Sequence, residues 1–313
     1  MFDQIIGANV NRIGEGLRVI EEYTRFVRSN ESLTNQLSAI RKRVNQAFPQ
    51  QSSYLHSRNT STDTRAKEVP KKRDSAYDLL VANFKRVQEA FRVLEEYAAN
   101  EVCNQCRYDM YDLEQQVLLL AKKPDIKRGV YLISHSVDII KQGIDWGCAL
   151  VQLRDKEADK AALLDRAYEV SEYAKHYDVP FIVNDYLDIV QLVDADGLHT
   201  GQDDISVAKQ RQLLGDHKLI GRTTHSLEQG RQAKADGVDY VSVGPIWETP
   251  SKPGRDGIGF DYLTVVKQEL GIPFVAIGGI NDDNIDEVMG FEPHMVGLIR
   301  AFESVPKWQK RFL

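Results

Sequence analysis

The sequence has few cysteines, no long apolar run and no excess of positive charge, and each shortage excludes a class of protein. Three cysteines in 313 residues are too few for a disulfide framework. No apolar run is long enough to cross a bilayer, and the formal net charge of −6 disfavours nucleic acid as the main partner. The first residues lack the basic and apolar segments of a secretory signal. We therefore expect a cytoplasmic protein that binds neither membranes nor nucleic acid.

Two nucleotide- or metal-binding signatures are also missing. Cys103 and Cys106 form a single C-x-x-C inside a helical pattern, and without a second pair or a nearby histidine we interpret them as buried thiols rather than zinc ligands. No G-x-x-x-x-G-K-[ST] loop is present, so a nucleotide would have to be held in another way. At about 150 residues per domain, the length predicts two domains, each with its own core.

The first half of the chain contains a duplicated helical segment. Nine positions between Ala8 and Tyr23 recur 74 residues later, so that residues 7–26 and 81–100 form a repeat. Both copies carry an apolar stripe at helical spacing, and further helical patterns cover 33–47 and 108–122. We predict an all-α domain over residues 1–122 with internal pseudo-symmetry.

A stripe of Glu, Arg and Glu on the same helices leaves two interpretations open. It is either a solvated face with ion pairs, worth about 0.2–0.5 kcal/mol each, or a functional face. The second interpretation follows from the comparison of the two copies, in which the polar residues are identical while the apolar residues differ in type. The stretch 56–73 between the copies is polar and basic. It is either a loose connection or a loop that closes over phosphate with Arg58, Arg65 or Lys72.

The string "NxxRxxEGLRVIEEYxRF" from Asn9 to Phe26 carries a family resemblance. It resembles the small helical domain found alone or fused ahead of thiamin phosphate synthase in some bacteria. That family is associated with phosphorylation of hydroxymethylpyrimidine phosphate to the pyrophosphate. The resemblance implies a kinase domain here but supplies no matched catalytic residue, and a helical dimerisation module is the alternative.

The second half alternates short apolar runs with amphipathic helical patterns. The eight strand candidates are Val130–Ser134, Ala149–Leu153, Phe181–Asn184, Gly197–His199, Leu219–Arg222, Tyr240–Gly244, Phe274–Ile277 and Met295–Ile299. This order predicts an α/β protein with a (β/α)8 TIM barrel over residues 129–313, after a linker at 123–128. A doubly wound open sheet is the alternative fold, although no G-x-G-x-x-G follows the first strand.

Polar residues lie at or just past the C-terminal ends of the predicted strands, where such barrels place their chemistry. These residues are Gln152, Arg154, Lys156, Asn184, Asp185, His199, Gln202, Asp203, Asp204, Thr223, Thr224, His225, Thr249, Ser251 and Lys252. Two carboxylates with amide oxygens suit Mg²⁺, and the basic side chains match phosphate oxygens. We interpret the set as a magnesium and polyphosphate site. Taken alone, Asp185 or Asp204 could cap a helix, and the two histidines are either packed residues or catalysts.

Two glycine-containing segments complete the predicted mouth of the barrel. Gly278 and Gly279 precede a helix expected to start at Asn281 or Asp282, and they indicate either a phosphate-binding turn or a tight turn alone. The loop from Glu248 to Gly257 contains two prolines and two glycines. We predict that this loop is a lid.

Six strings in order connect the second half to a known family: "VQLRDK", "PFIVND", "ADGLHTGQDD", "GRTTH", "YVSVGPIWETPSK" and "VAIGGI". They resemble thiamin phosphate synthase, which joins hydroxymethylpyrimidine pyrophosphate to a thiazole phosphate and releases pyrophosphate. The resemblance implies that the pyrimidine pyrophosphate is bound by Gln152, Leu153, Arg154, Asp155, Lys156 and Asn184. It implies Mg²⁺ on Asp185 and Asp204, and catalytic roles for Arg154, Lys156 and Lys252.

The same resemblance implies a thiazole phosphate site formed by Thr249, Pro250, Ser251, Gly279, Ile299 and Arg300. Three positions depart from the family pattern: Thr223 and Arg300 stand where Ser is usual, and His135 stands where Thr or Asp is frequent. Alternatives for the barrel are a thiazole tautomerase-like isomerase and a regulatory protein that binds thiamin phosphates. Pyrophosphate release discriminates between them. We expect small-molecule substrates, and a homo-oligomer is left open.

Overall fold

A computed structural model describes residues 2–49, 72–249 and 256–312. The chain forms two compact units, Met1–Lys122 and Lys123–Leu313. Among the described residues, no helix has the length and apolar character needed to cross a membrane. Several sequence predictions concern residues outside those described. They are the predictions for Arg58, Arg65, Pro250, Ser251 and Lys252, and for most of the predicted lid.

The described part of the first unit is helical. Its helices are α1 (Asp3–Glu22), α2 (Glu31–Ala47), α3 (Ala76–Ala98) and α4 (Glu101–Ala121), with a π-helical turn at Tyr23–Val27 after α1. Side-chain caps fix three of the starts, by Asn30, Ser75 and Asn100. The prediction that the last helix begins at Tyr108 is wrong by seven residues, since the helix begins at Glu101. Its first residues are largely polar and show no clear apolar stripe, so the sequence pattern did not indicate a helix there.

The two copies of the repeat pack directly against each other. A Cβ added to Gly16 on α1 would lie 2.6 Å from a methyl group of Val87 on α3, so the glycine permits a close helix crossing. The predicted apolar stripes are buried in this interface, including Leu17 and Phe91 at 0% exposure. Cys103 and Cys106 are free thiols in the same core, as predicted, and burial raises the pKa of Cys103 to about 12.

Several of the repeated polar residues make the same contacts in both copies. Asn9 donates to the carbonyl of Ile5 at 2.8 Å and accepts from Arg12 at 3.2 Å. The second copy repeats both bonds at the same distances, through Asn83, Leu79 and Arg86. An i,i+4 ion pair recurs as Arg18–Glu22 and Arg92–Glu96. These contacts support the ion-pair interpretation of the stripe and give the retained residues a structural use.

The second unit is a closed barrel of eight parallel strands in sequence order, with β8 paired to β1. The strands are β1 (Gly129–Ser134), β2 (Leu150–Leu153), β3 (Phe181–Asn184), β4 (Gly197–Thr200), β5 (Leu219–Thr224), β6 (Tyr240–Val243), β7 (Phe274–Ile277) and β8 (Met295–Leu298). The predicted TIM barrel is confirmed. One correction concerns β5, which continues two residues beyond the predicted end at Arg222, so Thr223 and Thr224 lie within the strand.

Helices follow the strands on the outside of the barrel. They are α5 (Val137–Asp145), α6 (Lys160–His176), α7 (Leu187–Leu192), α8 (Val207–Leu214), α9 (Leu227–Ala235), α10 (Asp261–Leu270), α11 (Ile285–Met289) and α12 (Val305–Gln309). The helix after β7 was expected at Asn281 or Asp282. That expectation is wrong, since 281–284 form a turn and α11 begins at Ile285.

Side chains alternate along each strand and so build two separate cores. One lies between strands and helices. The other fills the barrel interior and consists of Tyr131, Ile133, Leu150, Ile182, Leu219, Tyr240, Val275 and Met295. Ile126 packs against the interior cluster, and its carbonyl lies 2.8 Å from Nε2 of His294. The segment 123–128, predicted as a linker, therefore packs on the barrel unit.

Candidate active site

A cavity of about 440 Å³ opens where the strands end at their C-terminal side. Ten of the residues singled out in the sequence line it: Gln152, Arg154, Asn184, His199, Thr223, Thr249, Gly278, Gly279, Ile299 and Arg300. They come from strands or loops spread around the whole barrel, so the closed sheet brings together residues up to 148 positions apart, from 152 to 300. Glu248 and Asn281 line the cavity too and add polar groups that sequence reasoning did not assign.

Asp185 and Asp204 share one electrostatic environment. Burial raises the pKa of Asp185, the nearby charge of Asp204 raises it further, and Lys156 and Arg154 act in the opposite direction. Nζ of Lys156 lies 3.9 Å from a carboxylate oxygen of Asp185, and their side chains are 58% and 28% exposed. The charges of one acid, Asp204, and two bases, Lys156 and Arg154, therefore all act on the carboxylate of Asp185.

Neither acid caps the helix that follows it. α7 begins at Leu187 with no side-chain cap, and α8 is capped by Ser206, which accepts from the backbone of Lys209. Asp204 instead accepts a hydrogen bond from the backbone N–H of Gly201 at 2.7 Å, within its own loop. The helix-cap alternative for these carboxylates is therefore not what the structure shows.

Leu153 and Asp155 do not present side chains to the cavity. Leu153 is 1% exposed and packs in the core between strands and helices. The carboxylate of Asp155 accepts from the backbone N–H groups of Glu157 and Ala158 and pairs with Arg166. Burial opposes its charge, but these hydrogen bonds lower the pKa of Asp155. Asp155 thus fixes the loop that carries Lys156, and its predicted place among the substrate-binding residues stays a prediction.

A chain of hydrogen bonds runs across the floor of the cavity inside the barrel. Gln152 donates to the hydroxyl of Tyr131, which lies 2.9 Å from the hydroxyl of Tyr240. The Tyr240 hydroxyl lies 3.1 Å from Nδ1 of His199, whose Nε2 lies 3.0 Å from the hydroxyl of Thr223. Burial raises the pKa of both tyrosines, which keeps their hydroxyls protonated. The network therefore fixes the side chains at its two ends, Gln152 and Thr223.

Sequence reasoning missed the tyrosines of this floor. A tyrosine in an apolar strand signals a buried polar tip that needs a partner, but its partner lies 109 positions away along the chain. His199 is buried and bonded at both ring nitrogens, and His225 bonds the carbonyl of Gly244 through Nδ1. Both contacts fit the packed, hydrogen-bonded interpretation of these histidines.

Gly278 and Gly279 let two loops of the mouth approach each other. Their φ angles are +102° and +71°, and an added Cβ would lie 2.4 Å from Cα of Pro245 or 2.6 Å from Cβ of Trp247. Backbone N–H groups of Ile246 and Trp247 bond the carbonyls of Ile277 and Gly278 at 3.0 and 3.1 Å. The glycines thus serve a close approach between loops as well as lining the cavity.

Comparison with known proteins finds a family match for each unit. Residues 129–302 match the family described as thiamine monophosphate synthase, and residues 4–116 match the ThiD2 family. The thiamine-phosphate synthase of Synechocystis sp. is 37% identical over 314 residues, covering 95% of this chain and 90% of that protein. The thiamine-phosphate synthase of Nostoc sp. is 35% identical, covering 95% and 88%.

A solved structure agrees with the barrel. The thiamine phosphate pyrophosphorylase from Pyrococcus furiosus superposes with a TM-score of 0.55 at 27% identity, covering 60% of this chain and 98% of that one.

Proposed function

The chain belongs to the thiamine monophosphate synthase family, and from the residues around its cavity we propose how the barrel carries out the reaction. The barrel is a thiamine-phosphate synthase, a transferase of thiamine biosynthesis. It joins 4-amino-2-methyl-5-(diphosphooxymethyl)pyrimidine to a thiazole phosphate and releases pyrophosphate. The carbon–oxygen bond to the diphosphate breaks, and the thiazole nitrogen forms the new carbon–nitrogen bond.

Departure of the diphosphate requires that its developing charge be neutralised. Arg154 lines the cavity, and Nζ of Lys156 lies 3.9 Å from a carboxylate oxygen of Asp185. A guanidinium and an ammonium in a partly desolvated site stabilise phosphate oxygens more strongly than water does. We assign both to the leaving group. Lys252, which lies outside the described residues, is assigned to the same group by its motif.

The two carboxylates fit a magnesium ion. Mg²⁺ takes one or two protein carboxylates and fills its other positions with water and phosphate oxygens, and Asp185 and Asp204 supply this number from neighbouring loops. In the part of the chain that the structure describes, no group of three metal-ligating side chains occurs. We propose that Asp185 and Asp204 hold Mg²⁺. When bound, the ion would supply positive charge to the diphosphate.

The rest of the cavity positions the two substrates. Gln152, Asn184 and Thr223 offer polar groups to an aminopyrimidine on the cavity floor. An electron-rich aminopyrimidine stabilises the methylene cation formed when the diphosphate departs. We assign the thiazole phosphate to Thr249, Gly279, Ile299 and Arg300, so that the thiazole nitrogen attacks at close range. Positioning of this kind supplies much of the rate, and no protein nucleophile is required.

The observation that carries the proposal is the carboxylate of Asp185, which lies 3.9 Å from Nζ of Lys156 and is acted on by the charges of Asp204 and Arg154. It is tested with Asp185→Asn and a matched control, Asp188→Asn, whose carboxylate pairs with Lys160 on the outer surface. We expect pyrophosphate release by the full chain to fall about 10²–10³-fold in Asp185→Asn and to stay near wild type in Asp188→Asn. Equal rates in the two variants would refute the assignment. Binding of substrates without release in wild type would indicate the regulatory alternative.

For the first unit we propose a hydroxymethylpyrimidine phosphate kinase that supplies the barrel with its diphosphate substrate. The support is the family match over residues 4–116 and the fit between the product of that reaction and the substrate of the barrel. Incubation of the full chain with ATP and hydroxymethylpyrimidine phosphate should produce ADP and the pyrimidine pyrophosphate. Absence of ADP, with self-association of the chain, would favour the dimerisation module. The three buried free thiols support the proposed cytoplasmic location.

A further inference from the structure

The guanidinium of Arg222 lies behind the loop that carries Asp204. Arg222 is on β5, where side chains alternate, so it points to the helix side while its neighbour Thr223 reaches the barrel interior. The residue is only 8% exposed. Arginine is rarely buried unless it is paired, yet the described hydrogen bonds of Arg222 all go to neutral oxygen atoms. We therefore expect the buried guanidinium of Arg222 to have a role beyond packing.

The three described hydrogen bonds of Arg222 end on residues 200–205. One terminal nitrogen donates to the hydroxyl of Thr200 at 3.0 Å and to the carbonyl of Ile205 at 3.2 Å. The other donates to the carbonyl of Gln202 at 3.1 Å. These acceptors lie on both sides of Asp203 and Asp204. The guanidinium therefore fixes the backbone before and after the acid that we assign to magnesium.

A second buried side chain fixes the same loop from α8. Gln210 is 0% exposed and donates to the hydroxyl of Thr200 at 3.0 Å and to the carbonyl of Ile205 at 2.7 Å. Asp204 itself accepts from the backbone of Gly201. Two donors thus converge on the same two acceptors and hold the loop from two elements, β5 and α8.

We propose that Arg222 is a positioning residue for the magnesium site, holding residues 201–205 so that Asp204 is presented towards Asp185. This inference rests on the proposed function, because it takes Asp204 as a metal ligand. Groups that orient metal ligands typically alter metal affinity by about 10- to 100-fold. The positive charge of Arg222 also attracts the carboxylate of Asp204. This attraction stabilises the observed conformation of residues 201–205.

The test compares Arg222→Met and Arg222→Lys with a control arginine of similar bonding. Arg211 also bonds several backbone carbonyls and Asp239, but these groups precede β5 and β6, at the opposite ends of the strands. The affinity of each full-length variant for Mn²⁺, used as a probe for Mg²⁺ in the presence of inorganic pyrophosphate, is measured by electron paramagnetic resonance. Thermal unfolding of each variant is measured in parallel.

We expect Arg222→Met to weaken Mn²⁺ binding about 10- to 100-fold and Arg222→Lys to show an intermediate loss of affinity. Arg211→Met should lower the unfolding temperature and leave the Mn²⁺ affinity unchanged. Wild-type affinity in both Arg222 variants would overturn the proposal. Should Arg222→Met not fold, the Arg222→Lys result decides. If wild type itself binds no Mn²⁺, the magnesium assignment is wrong and the inference falls with it, an outcome distinct from a failure of the variants alone.

Discussion

Asp185 donates its backbone N–H to the carbonyl of His199 at 3.0 Å, which ties the first residue after β3 to the neighbouring strand β4. Asp185 has a left-handed backbone with φ +62° at this point. Such conformations cost free energy for non-glycine residues and concentrate at functional sites. The conformation occurs where a half-buried carboxylate meets Lys156 and the charge of Asp204, so local strain and the proposed chemistry coincide at one residue.

The loop after β4 offers two adjacent acids for a matched comparison. Asp204 acts on Asp185 through its charge, whereas its neighbour Asp203 is exposed. Asp204→Asn should raise the Mg²⁺ concentration needed for half-maximal pyrophosphate release by at least about tenfold, because one anionic ligand is lost. Asp203→Asn should leave the Mg²⁺ dependence unchanged. Identical Mg²⁺ titrations for the two variants would exclude Asp204 as a ligand.

The network on the cavity floor predicts an effect of a single hydroxyl group. Tyr131→Phe removes the described partner of the Gln152 amide, which costs about 1–3 kcal/mol, while Tyr240 keeps its bond to His199. We expect KM for the pyrimidine substrate to rise about tenfold or more as Gln152 loses its fixed orientation. Tyr173→Phe removes a comparable hydroxyl that bonds Asp145 on the surface and serves as the control. Steady-state kinetics showing equal KM values would count against a positioning role for the network.

Gly221 leaves room for the same network. A Cβ at this position would lie 2.1 Å from Cζ of Tyr240 and 2.5 Å from Nδ1 of His199. Gly221→Ala should therefore lower the free energy of unfolding by about 1–3 kcal/mol through overpacking. Gly14→Ala, in α1 with no atom near the added methyl group, should raise it by about 0.5–1 kcal/mol. Denaturant unfolding of both variants checks the contrast, and a stabilised Gly221→Ala would contradict it.

The helical unit should lose stability in acid through Glu95. Burial opposes the charge of this carboxylate, but hydrogen bonds from Arg107 and Arg92 outweigh burial and lower the pKa of Glu95 below 4.5. Because the folded-state pKa is depressed, the contribution is fully present above the unfolded-state value and is lost as the pH falls below about 4.5.

The Glu95 prediction is checked by substitution. Glu95→Gln should cost about 1–3 kcal/mol near neutral pH and flatten the acid dependence of the urea midpoint, because no carboxylate remains there to be protonated. Glu96→Gln, which alters a solvent-exposed pair with Arg92, should change neither. An unchanged acid profile in Glu95→Gln would show that other carboxylates dominate the effect.

The barrel could be predicted because its strands are short, buried and β-branched, and because each is separated from the next by a helical pattern. Phe181–Asn184 and Phe274–Ile277 have the predicted boundaries. Asn184 at the end of β3 and Arg154 directly after β2 could be predicted to line the cavity from position alone, since strand ends in this fold meet at one mouth.

The features that escaped prediction depend on closure of the sheet. Tyr131 and Tyr240 become partners only when β1 and β6 face each other across the interior. The role of Asp155 depends on Arg166, which reaches it from α6. The burial of Arg222 depends on Gln210 and the loop around it. Such contacts join residues through the fold, and the local sequence carries no signal for them.

The most direct test of the account measures both products of the full-length chain. Given the pyrimidine diphosphate, the thiazole phosphate and Mg²⁺, the chain should form thiamine phosphate and pyrophosphate in equal amounts. Chelation of the metal should stop both, and added Mg²⁺ should restore both. Equal formation of the two products in the presence of excess chelator would contradict the central claim that Asp185 and Asp204 act through a divalent ion.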